Sequence, residues 1–297
     1  MNSDRKATII LVIATLLAAL GWVFSKESIQ GLPPFGFIGS RFLIASICLL
    51  PFCYSSLKKA KWKDLASSSL VGVLLAGAIL NWIYAISISE TLGEGAFIVS
   101  LSMLIVPLVG WALYRVRPTR AFWISLPFAV IGLALLSLSG GWQVSVSQLA
   151  FLGCATMLAI HFNVNSLYSQ KLPTLLLTCV QLFTVGCIAL LVSWLFEEVP
   201  SQIDSSIWVW FAMSVLLATT LRYVMQTLGQ KYTSSANAAL VMILEPVWTV
   251  VLSVLWYGEQ LSTLKMVGCV LILFSLVVYR TQGRFKLFNN GRTNNHQ

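Results

Sequence analysis

Ten apolar runs follow one another along this chain of 297 residues, with only short polar connections between them. A helix needs roughly 20 mainly apolar residues to cross the hydrocarbon core of a bilayer. Only 10% of the residues are charged, which is well below the share found in a typical soluble domain. We therefore predict an all-α polytopic membrane protein. Its ten transmembrane helices, called spans below, are expected at about 7–26, 35–54, 66–88, 92–114, 120–139, 147–169, 173–196, 206–228, 234–257 and 262–280.

The lysine and arginine residues orient these spans. If the N-terminus is cytoplasmic, 15 of the 19 basic residues lie on the inner side, and only Lys26 and Lys265 lie outside. Cytoplasmic loops carry such an excess, so both termini are expected in the cytoplasm. The net charge of +9 falls into short clusters between spans, such as KKAKWK at 58–63. This pattern favours contact with the lipid bilayer over binding to nucleic acid.

The two halves of the chain resemble each other. After a shift of 142 residues, AFIVSLSMLIVPLVGWALYRVRP (96–118) aligns with AALVMILEPVWTVVLSVLWYGEQ (238–260). Spans one to five thus match spans six to ten. Because five is an odd number, the two halves must be inserted in opposite senses. Such inverted repeats are typical of alternating-access transporters, whose sites lie near the midplane.

Two segments resemble a known family, the EamA branch of the drug/metabolite transporter superfamily. They are ALGWVFSKESIQGLPPFGFIGSRFLIA (19–45) and TSSANAALVMILEPVWTVVLSVLWYGEQLS (233–262), whose Glu-Pro and Gly-Glu pairs recur in that branch's ninth helix. The resemblance implies two inverted five-helix EamA repeats around a central cavity, lined largely by helices three, four, eight and nine. It also implies a bacterial inner membrane and export of amino acids or other small metabolites.

The domain organisation expected from the repeat is simple. The first EamA repeat occupies 7–140, the second occupies 147–280, and 281–297 form a cytoplasmic tail. The first repeat departs from the family pattern, because Met103-Leu104 stand where the second has Glu245-Pro246. The two halves are therefore chemically unequal.

Four ionisable residues lie well inside spans: Arg41, His161, Arg222 and Glu245. A charge at the bilayer centre is costly, so each should face the bundle interior or water. A helix rises about 1.5 Å per residue, which places Arg222 and Glu245 at similar depths on either side of a tight turn. We predict that they form a pair. The pair either binds a zwitterionic substrate or locks two spans together beside a kink at Pro246.

Aromatic and polar side chains inside the spans could complete the site. Together the aromatic ones suit a substrate with an apolar or aromatic side chain, although core packing is the more usual role for any one of them. His161 also fits the role of a hydrogen-bonded core group, and Arg41 is interpreted as a structural or entrance charge. The predicted substrate-binding residues are Glu245, Arg222, Trp82, Tyr84, Tyr223, Gln226, His161, Asn163 and Trp248.

These features predict a secondary transporter that exports small metabolites, in particular amino acids, by alternating access. An intramembrane enzyme is not expected: no two histidines are four residues apart, no aspartate lies in a span, and Gly-x-Ser does not occur. No metal or cofactor is expected either. A multidrug or organic-cation exporter, with Glu245 as the counter-charge, is the alternative, and a non-transporting assembly protein is a more distant one.

The energy source and the oligomeric state stay open at this point. Glu245 would carry the proton if export were coupled to a proton gradient, but Arg222 beside it favours a facilitated exporter. The expected partners are a small-molecule substrate and lipid, and a monomer is one of the oligomeric states left open.

Overall fold

The computed structural model describes residues 3–88, 92–115, 117–137, 145–198, 203–257 and 263–290. Apart from short connections these residues are helical, and no strand occurs among them. The helices are α1 Ser3–Ser28, α2 Pro34–Lys59, α3 Trp62–Ile88, α4 Leu92–Tyr114, α5 Arg120–Ser137, α6 Val146–Ser169, α7 Thr174–Phe196, α8 Ser205–Val215, α9 Arg222–Lys231, α10 Ser235–Met242, α11 Glu245–Tyr257 and α12 Thr263–Asn290.

The ten predicted spans are all present as helical segments. Spans one to seven are α1 to α7. Span eight consists of α8, a π-helical segment Leu216–Leu221 and α9, and span nine consists of α10 and α11. Span ten is α12, which continues about ten residues beyond its predicted end, and the final stretch of the predicted tail, 291–297, lies outside the described residues.

The lengths and hydropathies of the helices fit a multi-pass membrane protein. Seven of the described helices, or joined helices, are long and apolar enough to cross a membrane. The other three apolar stretches, in spans four, five and ten, are shorter: Ile98–Tyr114, Arg120–Gly132 and Met266–Ser275. The all-α architecture predicted from the apolar runs is therefore confirmed.

The equivalent helices α2 and α7 pack against each other in opposite directions. At the start of α2 the backbone N–H of Gly36 donates to Glu197 Oε2 at 2.8 Å, and near the middle of α2 the carbonyl of Ser46 accepts from the Sγ of Cys179, near the start of α7, at 3.4 Å. Residue numbers therefore rise along one helix as they fall along the other. This is the relation that two inverted repeats require of their second helices.

Glycines allow this close approach. A Cβ at Gly186 would lie 2.7 Å from the backbone nitrogen of Leu43, and a Cβ at Gly39 would lie 2.7 Å from that of Leu190. Any side chain larger than hydrogen would push the helices apart at both positions. The repeats thus meet along a backbone-to-backbone contact.

Several of the larger helix contacts among the described residues occur in matching pairs. Helix α3 packs on α6, as α1 packs on span eight; α4 packs on α6, as α1 packs on span nine; and α5 packs on α12. If each span of the first repeat is exchanged with the equivalent span of the second, each of these contacts becomes its partner or itself. A pseudo-two-fold axis relating two five-helix repeats produces this pattern.

Candidate substrate cavity

The ninth span is broken at the Glu-Pro pair. Helix α10 ends at Met242, and α11 begins at Glu245. Between them, the N–H of Leu244 reaches back only three residues, to the carbonyl of Val241 at 3.1 Å. Pro246 has no N–H with which to continue the α-helical ladder to Met242. The sequence indicated a kink here, and the structure has two separate helices.

The break gives Glu245 a favourable position. Its carboxylate lies in the first turn of α11, where unpaired N–H groups and the helix dipole favour negative charge. The indole N–H of Trp22 donates to its Oε1 at 3.1 Å. A carboxylate inside the membrane is therefore held by three separate elements: its own helix, α1 and the arginine described next.

Arg222 and Glu245 form the predicted pair. Arg222 Nη2 lies 3.9 Å from Glu245 Oε2, and the two side chains are 19% and 22% exposed. This distance brings the charges together but exceeds that of a hydrogen bond. The Nε of Arg222 is buried and has no hydrogen-bond partner among the described residues. Arg222 also lies over the ring of Tyr223, with its Cζ 4.6 Å from the centroid.

Arg41 has a more central place than the sequence suggested. It is only 5% exposed and lies in the cavity wall. Its Nη1 donates to Ser25 Oγ at 2.8 Å, its Nη2 donates to the carbonyl of Ala218 at 3.3 Å, and its Nε donates to Thr219 Oγ1. Arg41 therefore connects α2 with α1 and with the π-helical segment of span eight.

The π-helical segment lies directly before Arg222. Within it, Thr219 Oγ1 donates to the carbonyl of Ser214 at 2.9 Å, and Thr220 Oγ1 donates to that of Val215 at 2.8 Å. Each hydroxyl reaches a carbonyl five residues earlier, which stabilises the wider turn. π-Helical segments within α-helices are frequent at functional sites. Here the segment sets the direction in which Arg222 leaves the helix.

These groups surround a cavity of about 100 Å³ between the two repeats. Its wall contains residues of α1, α2, α3, α4, α6, span eight and span nine. The helices that the resemblance named, three, four, eight and nine, all contribute, and helices one, two and six contribute as well. Six of the nine predicted binding residues line it: Glu245, Arg222, Trp82, Tyr223, Gln226 and His161.

The other three predicted residues lie elsewhere. Tyr84 is two residues beyond Trp82, which turns it to the opposite side of α3, and it is 43% exposed. Asn163 donates from Nδ2 to the carbonyl of Val106 at 2.8 Å and so joins α6 to α4. Trp248 donates from its indole to Thr15 Oγ1 at 3.1 Å. Their side chains belong to helix packing and to the outer surface rather than to the cavity.

His161 lies in the cavity wall and is also hydrogen-bonded within the helix packing, so it combines the two roles considered from the sequence. It is buried in the cavity wall. Its Nε2 is 3.2 Å from Gln181 Oε1, and Gln181 Nε2 donates to Thr227 Oγ1 at 3.4 Å. This chain of hydrogen bonds joins α6, α7 and α9, so one ring nitrogen of His161 serves the helix packing.

Two further cavity residues were not among the predicted binding residues. Trp22 packs edge-on against Trp82, with ring centroids 5.1 Å apart, in addition to its bond to Glu245. Ser102 of α4 is buried in the wall, and its Oγ has no hydrogen-bond partner in the described part of the chain. Only the packing of distant spans brings these side chains to the site.

Comparison with known proteins agrees with this architecture. The chain matches the EamA-like transporter family over residues 5–138 and 146–281. It belongs to that family. An uncharacterized transporter of Archaeoglobus fulgidus is 23% identical over 271 residues, which cover 90% of this chain and 83% of that protein. A solved crystal structure superposes with a TM-score of 0.80 at 18% identity and covers 94% of this chain and 98% of its own.

The protein is therefore a multi-pass membrane transporter with the two-repeat EamA fold. The family match covers both halves separately, in agreement with the inverted repeats seen in the helix contacts. The similarity to the solved structure concerns the fold alone.

Proposed function

We propose that this EamA-like transporter exports amino acids or closely related zwitterionic metabolites by alternating access through the cavity between its repeats. The observation that carries the proposal is the charge of the wall: two guanidinium groups and one carboxylate among the described lining residues. A substrate carboxylate has Arg222 as its partner, and a substrate ammonium has Glu245.

The state of Arg222 supports this assignment. Its contact with Glu245 is too long for a hydrogen bond, and its buried Nε has no described partner. Buried guanidinium N–H groups strongly favour an anionic oxygen. Arg222 thus keeps donors available for a carboxylate while Glu245 lies close enough to offset its charge.

The excess positive charge disfavours organic cations. A cation near Glu245 would also meet Arg222 and Arg41, and like charges at short range in a partly desolvated cavity repel strongly. A zwitterion brings one negative group and one positive group and leaves the total charge of the cavity unchanged. The multidrug or organic-cation alternative is therefore the weaker one.

The break in span nine and the π-helical segment of span eight are the points where we expect the helices to bend during alternating access. Discontinuous helices near the midplane are common at the sites of transporters built from inverted repeats. Residues at these two irregular points, Glu245 and Arg222, contact the same cavity. Rocking one repeat against the other would open the cavity to alternate sides of the membrane.

The proposed orientation of the chain rests on the basic residues, and the proposed membrane rests on the resemblance to the EamA family. The excess of basic residues in alternate loops favours cytoplasmic termini, and we assign the protein to a bacterial inner membrane. The ion pair at Glu245 favours facilitated export without proton coupling. A monomer contains the whole cavity.

A substrate panel in liposomes tests the proposal. The purified protein is reconstituted, and counterflow is measured for neutral amino acids, primary amines and quaternary ammonium ions. We expect exchange of amino acids and none of the quaternary ions. Transport of cations alone would establish the alternative, and no exchange of any panel member by a folded protein would favour an assembly role.

The energy source is read in the same vesicles. An imposed pH gradient is expected to leave the accumulation of amino acid at its equilibrium value. Uphill uptake that follows the gradient and disappears in Glu245→Gln would instead show proton coupling through that carboxylate.

A further inference from the structure

The side chain of Gln226 in the cavity wall takes no part in the hydrogen-bonded network that lies beside it. Gln226 is only 4% exposed and lines the cavity. Its Oε1 has no hydrogen-bond partner among the described residues. The neighbouring polar groups His161, Gln181 and Thr227 are by contrast joined to one another. Most buried polar groups in native proteins are hydrogen-bonded, and Gln226 is one of the few described side chains here whose buried polar atom is left unpaired.

A second unpaired group lies in the same wall but comes from the other repeat. Ser102 of α4 is 1% exposed and lines the cavity, and its Oγ has no partner in the described part of the chain. A hydroxyl can donate one hydrogen bond and accept two, and a carboxamide can do both as well. Gln226 and Ser102 thus offer donors and acceptors without charge.

The position of Gln226 relative to Arg222 defines what these groups can reach. The two residues are four apart on α9, so they lie on one face, about 6 Å apart along the axis. A ligand carboxylate at Arg222 therefore leaves room, one helical turn along, for a second group of the same small molecule.

We propose that Gln226 and Ser102 form a subsite for the side chain of the exported amino acid and select side chains with a hydroxyl or a carboxamide. This inference rests on the proposed function, which places the main-chain carboxylate at Arg222. An aliphatic side chain of the same shape would leave both polar groups buried and unpaired. A binding site that hydrogen-bonds a ligand O–H or N–H discriminates strongly against an analogue without it.

Threonine and valine are the appropriate probes, because they have nearly the same shape and differ by one hydroxyl. Counterflow of each radiolabelled amino acid is measured in liposomes with the full-length protein. We expect threonine to half-saturate at a concentration about tenfold lower than valine, as one well-placed hydrogen bond would produce. Equal transport of the two would overturn the subsite and leave the proposed function standing. Transport of neither would also overturn the subsite, and the wider panel then decides the proposed function separately.

Variants of the two proposed subsite residues test whether they cause the preference for threonine over valine. Gln226→Met keeps the length of the side chain but removes its amide, and should bring the threonine-to-valine ratio close to one. Gln230→Met is the matched control one turn further along α9, since that amide is already bonded to Asn165 and to the carbonyl of Phe162, at 3.2 Å for the latter. The control should keep the wild-type ratio. If Gln226→Met does not fold, Ser102→Ala serves in its place, and an unchanged ratio in that variant overturns the proposal.

Discussion

Replacing Glu245 by glutamine separates the charge of the site from its shape. The amide oxygen of a glutamine can still accept the hydrogen bond that the indole of Trp22 donates at 3.1 Å. The side chain keeps its size and its place at the start of α11. What disappears is one negative charge located 3.9 Å from Arg222.

The magnitude follows from that distance. Two unit charges 3.9 Å apart attract by about 4 kcal/mol at an effective dielectric constant of about 20. Desolvation of both groups offsets part of this attraction. We therefore expect the loss of the charge to change the binding of an ammonium group, and that of an anion, by about 1.4 kcal/mol each, or a factor of about ten in affinity. A substrate ammonium loses its partner, and Arg222 becomes a stronger site for a bare anion.

The assay compares an amino acid with its 2-hydroxy-acid analogue, in which a hydroxyl replaces the ammonium group. In Glu245→Gln, half-saturation by the amino acid should require about tenfold more substrate, and half-saturation by the hydroxy acid about tenfold less. Glu198→Gln, which removes an exposed carboxylate just beyond the end of α7, is the charge control and should change neither value. An equal weakening of both ligands in Glu245→Gln would refute the assignment of Glu245 to the ammonium group.

Four further substitutions test the scaffold around the site. Gly186→Ala places a Cβ 2.7 Å from a backbone nitrogen of α2 and should destabilise the protein by about 1–3 kcal/mol, measured as a lower thermal midpoint in detergent; an unchanged midpoint would contradict the tight α2–α7 contact. Arg41→Gln removes the charged donor from the π-helical segment and should slow amino-acid exchange at least tenfold, whereas Thr219→Val, which loses one hydroxyl, should slow it less; the reverse order would argue against Arg41 as the positioning group. Trp22→Phe keeps an aromatic ring but loses the hydrogen bond to Glu245, so the substrate concentration for half-saturation should change about tenfold, and an unaltered value would show that this bond does not hold the carboxylate in place.

The span count, the inversion and the ion pair were predictable because each depends only on position along the membrane normal. Hydrocarbon thickness fixes the length of an apolar run, and charge asymmetry fixes its direction. Depth along a helix is then a matter of counting residues, which is how Arg222 and Glu245 could be matched across a turn. Their separation of 3.9 Å confirms that count.

The rest of the site depends on rotation about helix axes and on which distant spans touch. Tyr84 lies inside a span as Trp82 does, but a step of two residues turns it away from the cavity. Trp22 is 223 residues from Glu245 in sequence, and only the packing of α1 on span nine brings them together. The π-helical segment LLATTL has no marker apart from its paired threonines. Arg41 gains its central role through that segment, so its importance was hidden as well.

The repeats share a backbone plan but differ in the chemistry of their walls. Met103 and Glu245 occupy corresponding positions, and both line the cavity. Helix α4 runs without a break from Leu92 to Tyr114, whereas its counterpart is interrupted just before Pro246. An inverted repeat with identical walls would hold a substrate in the same way from either side. Here a charged, broken helix faces an unbroken and uncharged wall of α4. The proposed main-chain partners Arg222 and Glu245 therefore come from spans eight and nine, and α4 adds the hydroxyl of Ser102 to the proposed side-chain subsite.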